Sequence, residues 1–271
     1  MSAAPPLAVH RFTAFGGARC EVLARGCTDA DLSAAVAEVY AFEARLTRFD
    51  PGSELSRLNA AAGVRTAVSP LLEELLRATL EAFELSDGAV NAAVLPALLA
   101  AGYDRAAVDL GGVGKGWLAD RLAERLEDAA VNLGGDLRAL GPGPDGDGWT
   151  VGLCDGSAVR VVDAGIATSG PAGRRWAGSH HLVDPRTGRP ATAGPGAVSV
   201  VASDALRAEV LAKLVAIRGL AEGVPLATAR GAARVRWISA LGAAAPNGEG
   251  ASPRPSSPSS MTAFPLVEGA A

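Results

Sequence analysis

Cysteine is scarce in this chain of 271 residues, which contains three, at Cys20, Cys27 and Cys154. They form no Cys-x-x-Cys pair, and an odd number cannot be fully paired within one chain. A disulfide framework and a cysteine-type zinc site are therefore both unexpected. We predict that the three thiols are small buried hydrophobic groups.

Three further classes of protein are disfavoured by what the chain lacks. Basic residues are not in surplus, since 25 Lys and Arg face 29 Asp and Glu and the formal charge is −4, which argues against a nucleic-acid partner. No run of about eighteen apolar residues is present, so no segment is expected to span a membrane. The N-terminal segment lacks the basic and long apolar regions of a secretory signal. We expect a soluble, cytoplasmic protein with no nucleic-acid or membrane partner.

Aromatic residues make up only 4% of the chain, but hydrophobic residues together make up 49%. A chain of this length and composition can bury a large core. We predict one globular unit over residues 1–242, followed over 243–260 by a segment rich in Pro, Ser and Gly, a composition typical of disorder. The last segment, 261–271, is either a tail or a short strand that docks on the globular unit.

Helical and strand-like patterns alternate along the globular unit. Thr28 with Asp31 predicts the start of a helix that ends near Thr47, and Ser69 followed by proline predicts the start of a second that ends near Leu85. Two more amphipathic helices are predicted over 117–129 and 203–218. Strands are predicted at 106–110, 130–133, 149–153, 159–162, 165–168, 181–183 and 197–201.

The segment VDLGGVGKG at 108–116 has the composition of an anion-binding turn before a helix. Glycines let backbone N–H groups approach phosphate oxygens, and a helix N-terminus favours negative charge. It is not a Walker loop, because Gly116 stands where Ser or Thr is required. It is not a Rossmann fingerprint either, because Trp117 occupies the third glycine position. By itself the segment fits phosphate binding and a plain strand-to-helix turn equally well.

Three other segments have both a functional and a structural interpretation. VNLGGD at 131–136 suits close approach of backbone to a ligand, but also an ordinary β-turn. The hydroxyls of ATSG at 167–170 fit a cap or turn better than phosphate binding. SHHLVDPRTGRP at 179–190 contains two of the three histidines. Histidine often acts as a base near neutral pH, although such a pair is more often structural.

Taken in order, these motifs resemble the ApbE family of FAD:protein FMN transferases. The resemblance implies an α+β fold, with a sheet-rich body and flanking helices around a central flavin site. It also implies that the chain binds FAD, with Mg²⁺ at the pyrophosphate, and transfers FMN to a Ser or Thr hydroxyl of an acceptor flavoprotein, releasing AMP. It extends from about Phe12 to Arg218 over six segments: RFDPGSELSRLN, VDLGGVGKGWLAD, VNLGGDLRALG, GIATSG, SHHLVDPRTGRP and AVSVVASDALRAEVLAKL.

The resemblance also implies roles for single residues. His181 matches the family's candidate base, the carbonyl of Gly112 matches a backbone ligand of the metal, and Phe49 matches the aromatic residue that stacks on the flavin ring. The expected FAD contacts are Phe15, Phe49, Ala89, Val90, Asn91, Asp109, Lys115 and Val183.

Two positions of the last predicted helix depart from the family pattern. Glu209 and Lys213 stand where the family has a metal-binding Asp and Thr. Glu209 can still bind Mg²⁺, whereas the Lys213 ammonium has no lone pair to offer. The i, i+4 spacing also fits a plain surface ion pair.

Three hypotheses follow. The first is an active transferase in which Glu209 and Lys213 belong to the catalytic site and Lys213 supplies part of the metal's charge. The second is a flavin- or nucleotide-binding member that has lost transfer. The third is a phosphate-loop protein of another fold.

Overall fold

The computed structural model describes residues 5–61, 64–93, 108–173, 175–176 and 179–239. Its strands are β1 Leu7–Ala14, β2 Ala18–Arg25, β3 Ala129–Leu133, β4 Asp136–Leu140, β5 Trp149–Gly152, β6 Ala158–Val161, β7 Ala164–Ser169, β8 Arg175–Trp176, β9 Ser179–His180, β10 Val183–Asp184, β11 Arg189–Pro190, β12 Ala197–Ala202 and β13 Arg234–Ile238. Seven of them form one sheet, in the order β1-β2-β3-β4-β7-β12-β13, and every neighbouring pair is antiparallel. The pairs β5–β6, β8–β9 and β10–β11 form separate two-stranded sheets.

The helices of the described residues are α1 Asp29–Leu46, α2 Glu54–Ala60, α3 Pro70–Leu85, α4 Gly114–Leu126, α5 Ala205–Arg218 and α6 Leu220–Ala229. Of these, α4 and α5 lie against the sheet and against each other. The structure is mixed helix and sheet, as predicted. None of these helices is both long and apolar enough to cross a membrane.

The sheet is buried on both faces. Because successive side chains of a strand point to opposite sides, neighbouring residues of one strand join different cores. On β2, Val22 joins the core under α1 and α4, while Leu23 joins a second core that contains Trp149 of β5. On β12, Val200 packs on the α5 side and Val201 on the other. This two-sided burial explains why the central strands are almost continuously apolar.

Local signals placed several element ends correctly. The Thr28 side chain accepts a hydrogen bond from the Asp31 N–H, and the Asp31 carboxylate accepts one from the Thr28 backbone N–H, which completes a capping box at α1. The Ser69 hydroxyl accepts from the Leu72 N–H at 3.2 Å and caps α3. The predicted helices over 117–129 and 203–218 correspond to α4 and α5.

Other elements were missed or misplaced. The elements that were not predicted are the strands β1, β2, β4, β8, β11 and β13 and the helices α2 and α6. The predicted strand at 181–183 is replaced by the two short strands β9 and β10. Residues 108–110 are not a strand, while 106–107 of the same prediction lie outside the described residues. The predictions for 243–260 and 261–271 also lie outside them.

The cysteine prediction is confirmed for two of the three residues. Cys20 and Cys154 are buried, whereas Cys27 is only half-buried, and all three are free thiols. Burial raises the pKa of the Cys20 thiol to about 11, so it is protonated and unreactive at neutral pH.

Candidate functional site

A cleft of about 730 Å³, including the part open to solvent, lies where four stretches of the chain meet. These are the C-terminal half of α3 with the segment after it, the glycine turn before α4, the segment between β9 and β10, and the C-terminal half of α5. The four stretches are far apart in sequence. Their meeting depends on α4 and α5 lying side by side on the sheet.

Asp109 shapes the glycine turn at one wall of the cleft. Its Oδ1 accepts a hydrogen bond from the Gly111 N–H at 2.7 Å, and its Oδ2 lies 3.2 Å from Nε of Arg48. The Arg48 side chain is only 4% exposed, and its guanidinium carbon lies 4.2 Å from the centroid of the Phe49 ring. Arg48 therefore connects the glycine turn to the loop that follows α1, and it also contacts the exposed Phe49 ring of the same loop.

Glu209 of α5 lies behind the glycine turn and is fully buried. Its Oε2 accepts a hydrogen bond from the Gly116 N–H at 2.9 Å. Its Oε1 accepts one from Lys213 Nζ at 2.7 Å and lies 3.4 Å from Lys115 Nζ. Lys115 also pairs with the buried carboxylate of Asp136, at the start of β4. Two ammonium groups and two carboxylates thus form a compact, formally neutral cluster.

The Glu209 carboxyl is ionised in this environment. Burial alone would raise its pKa, because desolvation disfavours the charged form. The positive charges of Lys115 and Lys213, together with the hydrogen bonds from Lys213 and the Gly116 N–H, outweigh that effect and hold the pKa below its usual range. The carboxylate at this position is therefore already matched by cations of the protein itself.

Gly116 allows α4 and α5 to approach closely enough for this contact. A Cβ at Gly116 would lie 2.7 Å from the carbonyl oxygen of Ala205 and 2.8 Å from Cα of Leu206. One turn further along α4, the two carboxylate oxygens of Asp120 accept hydrogen bonds from the N–H groups of Ala205 and Leu206, at 2.8 and 2.9 Å. Burial, reinforced by the charge of Asp204, raises the pKa of Asp120 to about 6.

The glycine pair of VNLGGD is a hairpin turn that places Asp136. Gly134 and Gly135 have φ values of +69° and +101° and connect the paired residues Leu133 and Asp136. Two consecutive positive φ angles are typical of the tight turns that suit a two-residue hairpin. The structural interpretation of this motif is correct, and the turn also delivers the Asp136 carboxylate to Lys115.

The remaining motifs separate into structural and cleft-facing parts. Thr168 of ATSG lies within β7, where its hydroxyl is 2.8 Å from the Ser199 hydroxyl of β12, so it is neither a cap nor a turn. Nε2 of His180 lies 3.0 Å from the carbonyl oxygen of Ala191, whereas the half-buried His181 lines the cleft.

Most of the residues predicted to form a site meet at the cleft. Three predicted FAD contacts do not line it: Phe49 is 69% exposed, Phe15 packs edge-on against Phe42 at 6.4 Å between ring centroids, and Lys115 lies in the cluster behind the glycine turn. The predicted catalytic residue Glu209 lies in that cluster too. The predicted residues that line the cleft are Ala89, Val90, Asn91, Asp109, Gly112, His181, Val183 and Lys213.

Sequence reasoning missed several residues that shape the site. Arg48 precedes Phe49 directly, but nothing in sequence shows that it reaches Asp109. Thr79 and Ile217 line the cleft from buried helix positions and look like ordinary core residues. One signal was available: lysine occurs only twice among the 25 Lys and Arg of the chain, and both lysines contact Glu209.

The donor atoms at this site do not fit a divalent metal ion. Mg²⁺ requires oxygen ligands in a near-octahedral set. Both oxygens of Glu209 are engaged by N–H groups and withdrawn from solvent, and Lys213 contributes a cation rather than a lone pair. Within the described ranges, no group of three or more His, Cys, Asp or Glu side chains is arranged to hold a metal ion.

Comparison with known proteins identifies the class of protein that this fold and site represent. The ApbE family model matches residues 16–106 and 99–236, which is most of the chain. The fold is that of solved ApbE structures. The chain from Thermotoga maritima has a TM-score of 0.75 at 21% identity, with 87% of this chain and 96% of that one covered. The Pseudomonas stutzeri flavinyl transferase ApbE has a TM-score of 0.74 at 20% identity, with 89% and 98% covered.

Curated relatives agree with this assignment. A protein of Treponema pallidum named FAD:protein FMN transferase is 30% identical over 257 residues, covering 68% of this chain and 71% of the relative. A Klebsiella pneumoniae protein of the same name is 32% identical over 136 residues, covering 43% of this chain but only 40% of the relative. The chain belongs to the ApbE family. The hypothesis of a phosphate-loop protein of another fold is therefore wrong.

Proposed function

We propose that this protein is an FAD:protein FMN transferase. The observation that supports the proposal is the cleft itself. Predicted contacts from four distant segments line one cavity, with an imidazole, a glycine turn and an ammonium group on its walls. These are the groups that a dinucleotide diphosphate and a reacting hydroxyl would require. The name carried by the relatives from Treponema and Klebsiella points to the same reaction.

The reaction exchanges the phosphoanhydride bond of FAD for a phosphate ester bond to the acceptor. The acceptor hydroxyl oxygen attacks the FMN phosphorus of FAD, the bond from that phosphorus to the bridging oxygen breaks, and AMP leaves with the electron pair. The hydroxyl proton passes to a base, and His181 is the candidate because it is the imidazole that lines the cleft. We propose that the acceptor is a Ser or Thr side chain of a flavoprotein.

The proposed FAD contacts divide into two sets. Ala89, Val90, Asn91, Asp109 and Val183 surround the cleft, and we propose that they hold FAD directly. Phe15, Phe49 and Lys115 remain proposed contacts on the strength of the family pattern alone. The family pattern also implies Mg²⁺ with Gly112 and Glu209 among its ligands, but Glu209 and Lys213 do not fit that ion, and no step is assigned to it.

The experiment is to incubate the full chain with FAD, so that water takes the place of the acceptor hydroxyl as the attacking oxygen, and to measure the released AMP and FMN by liquid chromatography. We expect AMP release from the wild-type protein, and a reduction of about a hundredfold in His181→Ala, the lower range for loss of a general base. His10→Ala is the matched control, because His10 lies on β1 and does not line the cleft. Equal rates in both variants would refute the role of His181.

A flavin-binding protein without transferase activity is the second candidate. The observation that favours it is the Glu209–Lys213 contact at 2.7 Å, which occupies the positions of two metal ligands in the family pattern. The same assay separates the candidates. Quenching of flavin fluorescence without AMP release would show binding alone, while absence of both would refute FAD as the ligand.

A further inference from the structure

We propose that Lys213 is the resident cation of the cleft and that it receives the diphosphate of the substrate without a divalent metal ion. The inference rests on the proposed function and assigns the group that donates hydrogen bonds to the pyrophosphate. It makes Lys213 a residue that touches the substrate. It makes Glu209 a positioning residue that acts by holding Lys213.

The use of lysine in this chain is selective. Of the 25 Lys and Arg residues, only Lys115 and Lys213 are lysines. Exposed ion pairs use arginine, as in the contact between Arg77 and Glu73 at 2.6 Å. Both lysines instead lie against the buried carboxylate of Glu209. An ammonium is a compact point charge, whereas a guanidinium is a planar fork. Both ammonium side chains of the chain therefore belong to the cluster around Glu209, and Lys213 is the one that lines the cleft.

The geometry leaves Lys213 able to contact a ligand. The aliphatic part of its side chain lies beside the glycine turn, since a Cβ at Gly112 would lie 4.0 Å from Cδ of Lys213. Its side chain lines the cleft and is 14% exposed. An ammonium carries three N–H donors, and among the residues that the structure describes its hydrogen-bond partner is Oε1 of Glu209. Two donors therefore remain for phosphate oxygens.

The same arrangement opposes a metal ion. The ammonium is fixed at the wall of the cleft by the 2.7 Å hydrogen bond to Glu209. A divalent cation placed beside it would be repelled, and a half-buried site screens that repulsion poorly. Glu209 would have to give up its contacts with Lys213 and the Gly116 N–H to bind the ion. The site is therefore matched to an anion that brings no metal of its own.

Lys213 keeps its proton throughout the proposed reaction. Its free N–H groups donate to nonbridging oxygens of the diphosphate as the bond to the bridging oxygen breaks. Charge that develops on the departing AMP is met by a donor that is already in place. The proton of the acceptor hydroxyl passes to the base of the proposed function, so Lys213 needs no proton transfer.

The first test measures FAD binding by flavin fluorescence, and AMP release, in EDTA and again in millimolar Mg²⁺. We expect wild-type binding and release to change less than about twofold between the two conditions. Lys213→Met keeps the apolar stem but removes the charge, and should bind FAD about tenfold more weakly in EDTA, the effect of losing a charge-assisted hydrogen bond. Arg207→Met is the matched control, because it removes a cation from α5 outside the cleft lining.

A double variant tests the exchange of cation for metal directly. Replacing Glu209 by Asp and Lys213 by Thr restores the side chains of the family pattern. We expect this variant to release little AMP in EDTA and to gain release as Mg²⁺ is added. A wild-type protein that requires Mg²⁺, or a Lys213→Met variant that binds FAD as well as the wild type, would overturn the inference while leaving the proposed function intact.

The second test needs no variant and covers the case in which Lys213→Met fails to fold. The wild-type protein is treated with an amine-acylating reagent, and modification of Lys115 and Lys213 is followed by peptide mass spectrometry. FAD in EDTA should slow acylation of Lys213 about tenfold, as expected when a bound diphosphate covers the amine. FAD that binds without protecting Lys213 would refute the inference. FAD that does not bind the wild type at all would refute the proposed function, and the inference with it.

Discussion

Replacing Gly116 by alanine tests how closely α4 and α5 approach at the centre of the site. The added Cβ would lie 2.7 Å from the Ala205 carbonyl oxygen and 2.8 Å from Cα of Leu206, whereas ordinary contacts begin at 3.4 Å. Both neighbours are backbone atoms, which cannot rotate away. The two helices must therefore separate by about 0.6–0.7 Å to restore ordinary contacts, so the substitution overpacks the core.

The net change in the free energy of unfolding of Gly116→Ala results from two opposing effects. Overpacking of this kind costs about 1–3 kcal/mol, while alanine in a helix interior gains up to about 1 kcal/mol over glycine. We expect a net loss of about 1–2 kcal/mol and a fall in melting temperature of about 2–8 °C. Separation of the helices would also lengthen the 2.9 Å hydrogen bond from the Gly116 N–H to Glu209, so FAD binding should weaken in the same variant.

Calorimetry of the wild type, Gly116→Ala and Gly114→Ala tests this prediction by measuring the melting temperature and the free energy of unfolding. Gly114 is the matched control because a Cβ there would meet only ring carbons of Phe42, at an ordinary 3.5 Å. Its substitution should change the free energy of unfolding by less than about 0.5 kcal/mol, since there is space and the residue opens the helix. A Gly116→Ala protein as stable as the wild type would show that the close approach of α4 and α5 is not needed.

Two further predictions concern carboxylates, the fully buried Glu209 and the half-buried Asp120. Glu209→Gln leaves two lysines without their shared buried counterion, so we expect the free energy of unfolding in urea to fall by about 3 kcal/mol, as for other broken buried pairs. The control is Glu73→Gln, in an exposed pair with 53% of the Glu73 side chain accessible, which should lose less than about 0.5 kcal/mol. Equal losses in the two variants would contradict the burial argument. Burial raises the pKa of Asp120 from 3.8 to about 6, so the folded state binds the proton more tightly than the unfolded state. The stability that this proton contributes is present below about pH 4 and is lost as the pH rises through 6, by about 3 kcal/mol relative to Asp120→Asn. If the free energies of unfolding of the wild type and Asp120→Asn run parallel between pH 4 and 7, the raised pKa of Asp120 is refuted.

The amino-acid sequence by itself determined the local features and the class of protein. The capping box of Thr28 and Asp31 and the Ser69 cap depend on residues within one helical turn, so they are visible without a fold. The ordered motifs pointed to the ApbE family and its α+β fold, and most of the residues they implied meet at one cleft. The missed strands β1, β2 and β13 carry no such local signal. The strands β1 and β13 lie at the two edges of the sheet. They are stabilised by pairing with one neighbouring strand, and this pairing is not visible in the local strand propensity of their residues.

Only the tertiary structure decided where Glu209 and Lys213 lie and which groups they contact. Their spacing of four residues fits an exposed ion pair and a site equally well. Burial of Glu209 comes from the close approach of α4 at Gly116, and its second lysine, Lys115, is 94 residues away in the chain. The free energy of a buried charge depends on every group around it. A fully buried carboxylate held by two lysines and one backbone N–H therefore arises from helix packing, which no stretch of sequence contains.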